Sequence, residues 1–392
     1  MTRRLEALML AYVSLSACWG CGSESSPLPP DQIFPNRRAK FPSEGRTLGY
    51  VANRNSDSVS VIDLDGLREL GQLPVGVDPV DIDGPRHIAI DAQRRVAYVL
   101  LTFPFSVPSA HLAASGTPSR QGYVQALDLL DFAQLGELHV DKRASDIALS
   151  ADGERISVTH FDRDLSISTG DLETRRSNLA LLAPAWGIQD NTARVERRRL
   201  CVAPAAHTYS NRSARVHIAC TGEDSLVTVD ATSGEVLSRV PAGADVVNKP
   251  MAIVMDSEES RLLVSNQFSS AVVSFSADAT PVLQFSTPSL EAQPMNAGYI
   301  SRAEFIVTLQ LPSGAARVDA ETGAVLTRVS YTDVECSNPT DVAKTADGRI
   351  FLVCEGDHYA PGALIQIDPA SLTVLRKTTL GIFPERLAIL PP

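Results

Sequence analysis

Two kinds of residue cluster in this sequence are of types that do chemistry. Cys18-Trp19-Gly20-Cys21 has the C-x-x-C spacing of a dithiol redox centre. Further along, His160, Asp162 and Asp164 in HFDRD, with Glu355, Asp357 and His358 in EGDHYAPG, offer imidazoles and carboxylates that could act as general bases or ligands. Asp78, Asp81 and Asp83 in VDPVDIDG could turn oxygens toward a calcium ion, although their spacing does not match an EF-hand loop. Against these stands the ordinary use of Asp and Asn as solvated turn formers. His87 and His217 fall in strand-like runs and read as packed or singly exposed side chains. No G-x-S-x-G elbow, Walker loop or H-E-x-x-H helix occurs, and no cofactor is indicated. His160, Asp162 and His358 are therefore the catalytic candidates, with Asp78, Asp81 and Asp83 as calcium candidates.

The context of Cys18 argues against redox chemistry. A reactive dithiol sits at a helix N-terminus that lowers the thiol pKa. Here polar, proline-containing GSESSPLPPDQIFP follows instead, and Gly22 stands where haem attachment would need His. What precedes it is a targeting pattern: basic Arg3 and Arg4, the apolar run ALMLAYVSL, then Ser16 and Ala17. Leu15-Ser16-Ala17-Cys18 resembles the lipobox of a bacterial lipoprotein signal. That resemblance implies cleavage before Cys18, acylation of its thiol and new amino group, and attachment by more than one chain, as stable anchoring requires. Trp19, where enteric lipoproteins retained at the inner membrane carry Asp, favours the outer membrane, facing periplasm or surface. An ordinary secretory signal with a coincidental Cys is the alternative. Residues 1–17 are then a signal peptide and 18–46, rich in Ser, Pro and charge, a flexible tether.

The elements that would position any site lie in 47–392. With 44% hydrophobic and 21% charged residues, the 392-residue chain has globular composition. Its net charge of -11 gives no reason to expect a nucleic-acid partner. No apolar run approaches the roughly 18 residues that span a bilayer. An apolar-Ala step recurs at Ala89, Ala148, Ala203, Ala252, Ala297, Ala343 and Ala388, about 45 to 60 residues apart. The first six are each followed by a β-rich run (VAYVLL, RISVTH, RVHIAC, RLLVSN, FIVTLQ, RIFLVC), and most of these by an alternating run ending in Asp and a turn. Asp63, Asp230, Asp319 and Asp368 read as Asx-turn formers. Such a four-stranded unit cannot bury both faces alone, and stacking units around an axis covers them. FPERLAIL supplies a lone inner strand at one end of the chain, and the N-terminal run supplies three strands lacking one. Their pairing would close seven blades into an all-β, seven-bladed β-propeller.

YVANRNSDSVSVIDLDG and HIACTGEDSLVTVDATSGEVLSRVPAG resemble the YVTN-type β-propeller repeat of bacterial and archaeal surface proteins. The resemblance covers about Arg46 to Leu390. It weakens in the third blade, where STGDLETRRSNLALLAPAWGIQDNTARVERRR reads as an insertion or a degraded outer strand, and in the sixth at Asn296. In that alignment Cys201 and Cys220 fall on the inner and second strands of one blade, while Cys336 precedes the last inner strand and Cys354 ends its neighbour. Two intrablade disulfides follow if the chain is exported, and Cys21 is left without a partner.

With this strand order, the loops after each second strand and the linkers between blades share one face. It carries TFPFSVPSAHLAASGTPSRQ, HFDRD, EGDHYAPG and LPVGVDPVDIDGP. Fold alone does not choose between two functions. One is a monomeric, lipid-anchored binding or scaffold module that presents this face to a protein, glycan or envelope ligand. The other is an exported hydrolase or lactonase, since some propellers with similar repeats open lactones with funnel-facing acids and histidines. The Ser/Gly/Pro character of the longest loop favours binding.

Overall fold

The computed structural model describes residue 41 and residues 45–76, 82–102, 122–183 and 195–392. Cys18, Cys21, most of the tether, Asp78, Asp81 and most of the longest loop lie outside the described residues, while Phe41 and Arg46 at the tether's end contact Phe132 and Asp63 of the propeller. Twenty-eight strands, β1 to β28 in chain order, form seven four-stranded antiparallel sheets. The innermost strands are β4 (Pro85–Asp91), β8 (Ala144–Leu149), β12 (Pro204–Ser210), β16 (Pro250–Met255), β20 (Gln293–Tyr299), β24 (Pro339–Lys344) and β28 (Pro384–Leu390). Each touches the next, and β28 touches β4, so they close a ring. This is a seven-bladed β-propeller. Blade 1 joins the chain's two ends: β28 pairs with β1 (Leu48–Asn53), with Tyr50 opposite Ala388.

Hydrophobic clusters account for the stacking. Each of seven clusters lies between two consecutive blades rather than within one. The interface across the closure is built like the others: Val51, Ile62 and Leu64 of blade 1 meet Phe351, Val353 and Leu364 of blade 7, all almost fully buried. Asp63, Asp230, Asp319 and Asp368 each accept two backbone N–H groups from the turn that follows, which assigns them a structural role.

Two local expectations need correction. Blade 3 is complete, with β9 (Ile156–His160), β10 (Ser177–Leu182) and β11 (Val195–Cys201) beside β8. Its loop between second and third strands also holds a short helix, α1 (Arg163–Ser166). Cys201 therefore ends the outer strand of blade 3, and its disulfide to Cys220, at the end of β13 (Arg215–Cys220), links two blades. The reason is that Ala203 occupies the turn before the inner strand, at φ +49°, not the strand itself. A small residue suits both places, so the apolar-Ala pattern slipped there. Cys336, in the short helix α2 (Asp333–Cys336), bonds Cys354 at the end of β25 (Ile350–Cys354). The two disulfides are equivalent: each joins a cysteine three residues before the inner-strand Pro204 or Pro339 to the residue paired with that proline.

The inner strands begin alike. All but blade 3 start on or next to proline, an imino acid tolerated because this edge faces the axis and has no further strand to accept from it. In every blade the pairing register then shifts by a residue. Such a bulge re-aims the side chains beside it. Asp341 shows the consequence. Only 5% exposed, it accepts from Asn296 of blade 6 (2.5 Å), and from the Arg386 guanidinium (3.1 Å) and Leu387 N–H (2.9 Å) of blade 1. One carboxylate thus fastens three blades, and Asn296, irregular against the repeat, is one of its partners.

Asp341→Ala leaves the partly buried Arg386 and the Leu387 N–H without their acceptor, and should lower unfolding stability by about 1–3 kcal/mol in urea titration. Asp319→Ala, at a solvated turn, should cost about 1 kcal/mol. A second expectation concerns His217, whose imidazole is fully buried with Nδ1 3.0 Å from Thr228 Oγ1. Burial, aided by Arg215, pushes its pKa down to about 4. The unfolded chain takes up a proton near pH 6.5 that the folded chain refuses until about pH 4, so stability falls as pH falls through that window. Between pH 7 and pH 5 the loss should be about 2 kcal/mol, and His217→Gln should flatten that part of the profile.

Candidate functional site at the mouth of the ring

The bulged starts of the inner strands bring together residues that are far apart in sequence. Pro85 pairs with Leu101 and Ala144 with His160, so inner-strand starts lie at the same end as the loops after the second strands. At that mouth His87 of blade 2 reaches Asp146 of blade 3, its Nδ1 bonded to Asp146 Oδ1. Asp146 Oδ2 accepts the His207 N–H of blade 4 (2.7 Å). His207 Nδ1 also lies 3.1 Å from Asp146 Oδ2, without hydrogen-bond geometry, and its Nε2 meets Ser157 Oγ at 2.7 Å. Burial opposes the charge on Asp146, but the His87 and His207 side chains outweigh it and hold its carboxyl well below the usual range. Asp146 is thus a fixed anion, and its bond to Nδ1 leaves Nε2 as the reactive edge of His87. That imidazole is 24% exposed, and its Nε2 has no partner among the described residues.

Cations flank this pair. Arg86 and Arg54 both bind Glu385, at 3.0 and 2.9 Å, and Arg386 binds Asp341. Both Arg86 and Arg386 feel the charge of Asp146. For Arg86 burial outweighs the attraction of Glu385 and Asp146, so its charge is under-compensated. For Arg386 burial is overcome by Asp341, Asp146 and Glu385. Blades 4, 5 and 6 differ: at the equivalent positions they place Ala205 and Ala206, Met251 and Ala252, and Met295 and Asn296. At these positions the mouth is therefore charged on the side of blades 7, 1, 2 and 3 and uncharged on the side of blades 4 to 6. An imidazole held by a buried carboxylate, next to guanidinium groups, can take a proton from water and stabilise a developing oxyanion.

The residues singled out from sequence lie around this mouth in separate places. His160 and Asp162 belong to one cavity in blade 3: His160 is 1% exposed with Nδ1 on the Asn178 carbonyl (2.8 Å), and Asp162 caps α1 by accepting the Leu165 N–H (3.0 Å). His358 stands in blade 7, stacked on Phe383 at 3.6 Å between centroids and 3.1 Å from Glu355 Oε2. The Arg54 guanidinium lies over that same Phe383 ring at 5.2 Å, so the His358 group adjoins the mouth. The contacts of His160 and Asp162 are with blade 3 and the linker entering it, whereas those of His358 are with blades 7 and 1. Asp83 is buried against Gly76, while Asp78 and Asp81 lie outside the described residues. Among the described residues no group of three His, Cys, Asp or Glu could hold a metal ion.

Sequence reasoning passed over His87, Arg86, Asp146, Asp341, Glu385 and Arg386. A signal was present. In PRH, ASD, PTD and PER, polar or charged pairs follow the strand-opening residue, where a buried innermost strand would otherwise be apolar.

No protein-family model matches the chain, and none of the curated proteins does. Solved structures share its architecture. The periplasmic gluconolactonase PpgL of Pseudomonas aeruginosa superposes with a TM-score of 0.63 at 15% identity, over 88% of this chain and 100% of that one. A putative 6-phosphogluconolactonase of Bacteroides uniformis gives 0.62 at 10% identity, over 88% and 99%. The dihydro-heme d1 dehydrogenase NirN, in complex with DHE, gives 0.58 at 14% identity, over 90% and 77%. At these identities the likeness is one of fold, that of a seven-bladed β-propeller.

Proposed function

We propose that this protein is an exported hydrolase that opens cyclic esters at the mouth of the ring. The observation that carries the reading is the His87–Asp146 pair, with Nε2 unpartnered among the described residues and Arg86 and Arg386 beside it. His87 Nε2 takes a proton from water as the oxygen attacks the lactone carbonyl. The tetrahedral oxyanion forms against the guanidinium groups. As it collapses, the ring C–O bond breaks and the alkoxide recovers the proton from His87, giving a hydroxy acid. The structural relatives named as lactonases lend support, and so do the two disulfides, which belong to an oxidising compartment.

A second reading, a binding or scaffold module, is favoured by one observation. Val247 and Phe268 lie together on the same face, with Val246 next to them, and are 52%, 61% and 98% exposed. Exposed apolar clusters mark contact surfaces. In either case we propose that lipid on Cys18 holds the propeller at the outer membrane through the 18–46 tether.

His87→Gln should lower kcat for gluconolactone hydrolysis by about 10²–10⁴-fold while leaving the melting temperature of the propeller near that of the parent. Absence of any hydrolysis by the parent protein, together with capture of an envelope partner that Phe268→Ser abolishes, would establish the binding reading instead. Cys18→Ser should end fatty-acid labelling and move the protein from the membrane to the soluble exported fraction. Membrane attachment unchanged in that variant would sink the anchor.

A further inference from the structure

The cavity that contains His160 is separate from the machinery at the mouth, and its lining is incomplete as a protein structure. It holds about 290 Å³ within the top of blade 3. Lys142 comes from the linker entering the blade, His160 from the end of β9, Asp162 from the cap of α1, Ser177 from the start of β10 and Arg199 from β11. A backbone carbonyl only accepts, so the 2.8 Å contact with Asn178 fixes the hydrogen on His160 Nδ1 and leaves Nε2 as an acceptor. That Nε2 is buried and has no partner among the described residues, and the Ser177 hydroxyl, on a residue 4% exposed, has none among them either. Two buried polar atoms left unsatisfied cost about 1–3 kcal/mol each, so something that bonds to them gains that energy.

The charges around them are unevenly used. Lys142 is shared with Asp162 at 3.4 Å, and Arg176 is held by Glu173 and Glu223. Arg199, exposed on β11, lines the same cavity; it interacts with the charge of Asp171 but makes no salt bridge among the described residues. The complementary ligand has a hydroxyl to donate to Nε2, an acceptor for Ser177 and a negative group for Arg199. The volume lies at the small end of ligand sites, which suits a molecule the size of a monosaccharide.

We propose that this blade-3 cavity is a second ligand site, which takes a small hydroxylated carboxylate of monosaccharide size. Its hydroxyl donates to His160 Nε2 and its carboxylate faces Arg199. The site is independent of hydrolysis at the mouth, and its test does not need that activity.

Calorimetric titration of the full chain with gluconate should show saturable binding. Glucose, which lacks the charge, and acetate, which lacks the hydroxyls, should each bind about tenfold more weakly or worse. Ser177→Ala and Arg199→Gln should each weaken gluconate by about five- to tenfold, while leaving the melting temperature and any lactone hydrolysis at the parent value. No binding at gluconate concentrations of about 20 mM would leave ordered water as the partner of His160 and overturn the proposal. Gluconate binding indifferent to both substitutions would place it elsewhere and overturn it equally.

Discussion

Each blade of this propeller has two apolar faces, and only its neighbours can cover them. From that constraint the rest of the structure follows. The seven hydrophobic clusters all lie between blades, so a sheet is stable only as a member of the ring. The ring in turn is complete only when the chain's last strand pairs with its first, which makes the antiparallel ladder of β1 and β28 the joint on which the other interfaces depend. Val51, Ile62 and Phe351 are buried as deeply across that joint as core residues elsewhere.

Closure also explains the chemistry of the mouth. Seven inner strands converge, and at their bulged starts several side chains reach partners on the next blade. Charged groups there pair across blades: Asn296 and Arg386 with Asp341, Arg86 with Glu385, His87 with Asp146. Such pairs are poor sources of net stability, because desolvation offsets most of the attraction. They do fix position. A carboxylate bonded to His87 Nδ1 and to a backbone N–H has little freedom left, and so orients the imidazole. The clasps that hold the blades together and the groups that could act on a ligand belong to one network.

The disulfides act at the same end of the blades. Each ties the chain just before an inner strand to the end of the strand that pairs with it, at blades 4 and 7. One of them crosses from blade 3 to blade 4, and so adds a covalent link to an interface otherwise made by packing. Cys201 and Tyr209 lie together in that cluster, with Leu179 and Leu181 on its blade-3 side.

Much of this was written in the sequence. The alternation of apolar and polar residues, the Asp-turn endings and the recurrence of the unit determine strand, blade and blade number, because they are local properties repeated at a fixed interval. The lone strand FPERLAIL and the three strands from Gly49 onward determine the closure, since neither end is satisfied alone. The pairing of Cys201 with Cys220 and of Cys336 with Cys354 could be read from the alignment. The blade to which Cys201 belongs could not, because a small residue serves equally in an αL turn and in a crowded inner strand. The mouth was decided by tertiary structure alone. His87 and Asp146 are separated by a whole blade, 59 residues, along the chain, and the polar pairs Arg86-His87 and Ser145-Asp146 to which they belong do not reveal in sequence that they meet. Only the shift in register at the start of every inner strand, and the closing of the ring that sets those strands side by side, turns them toward each other.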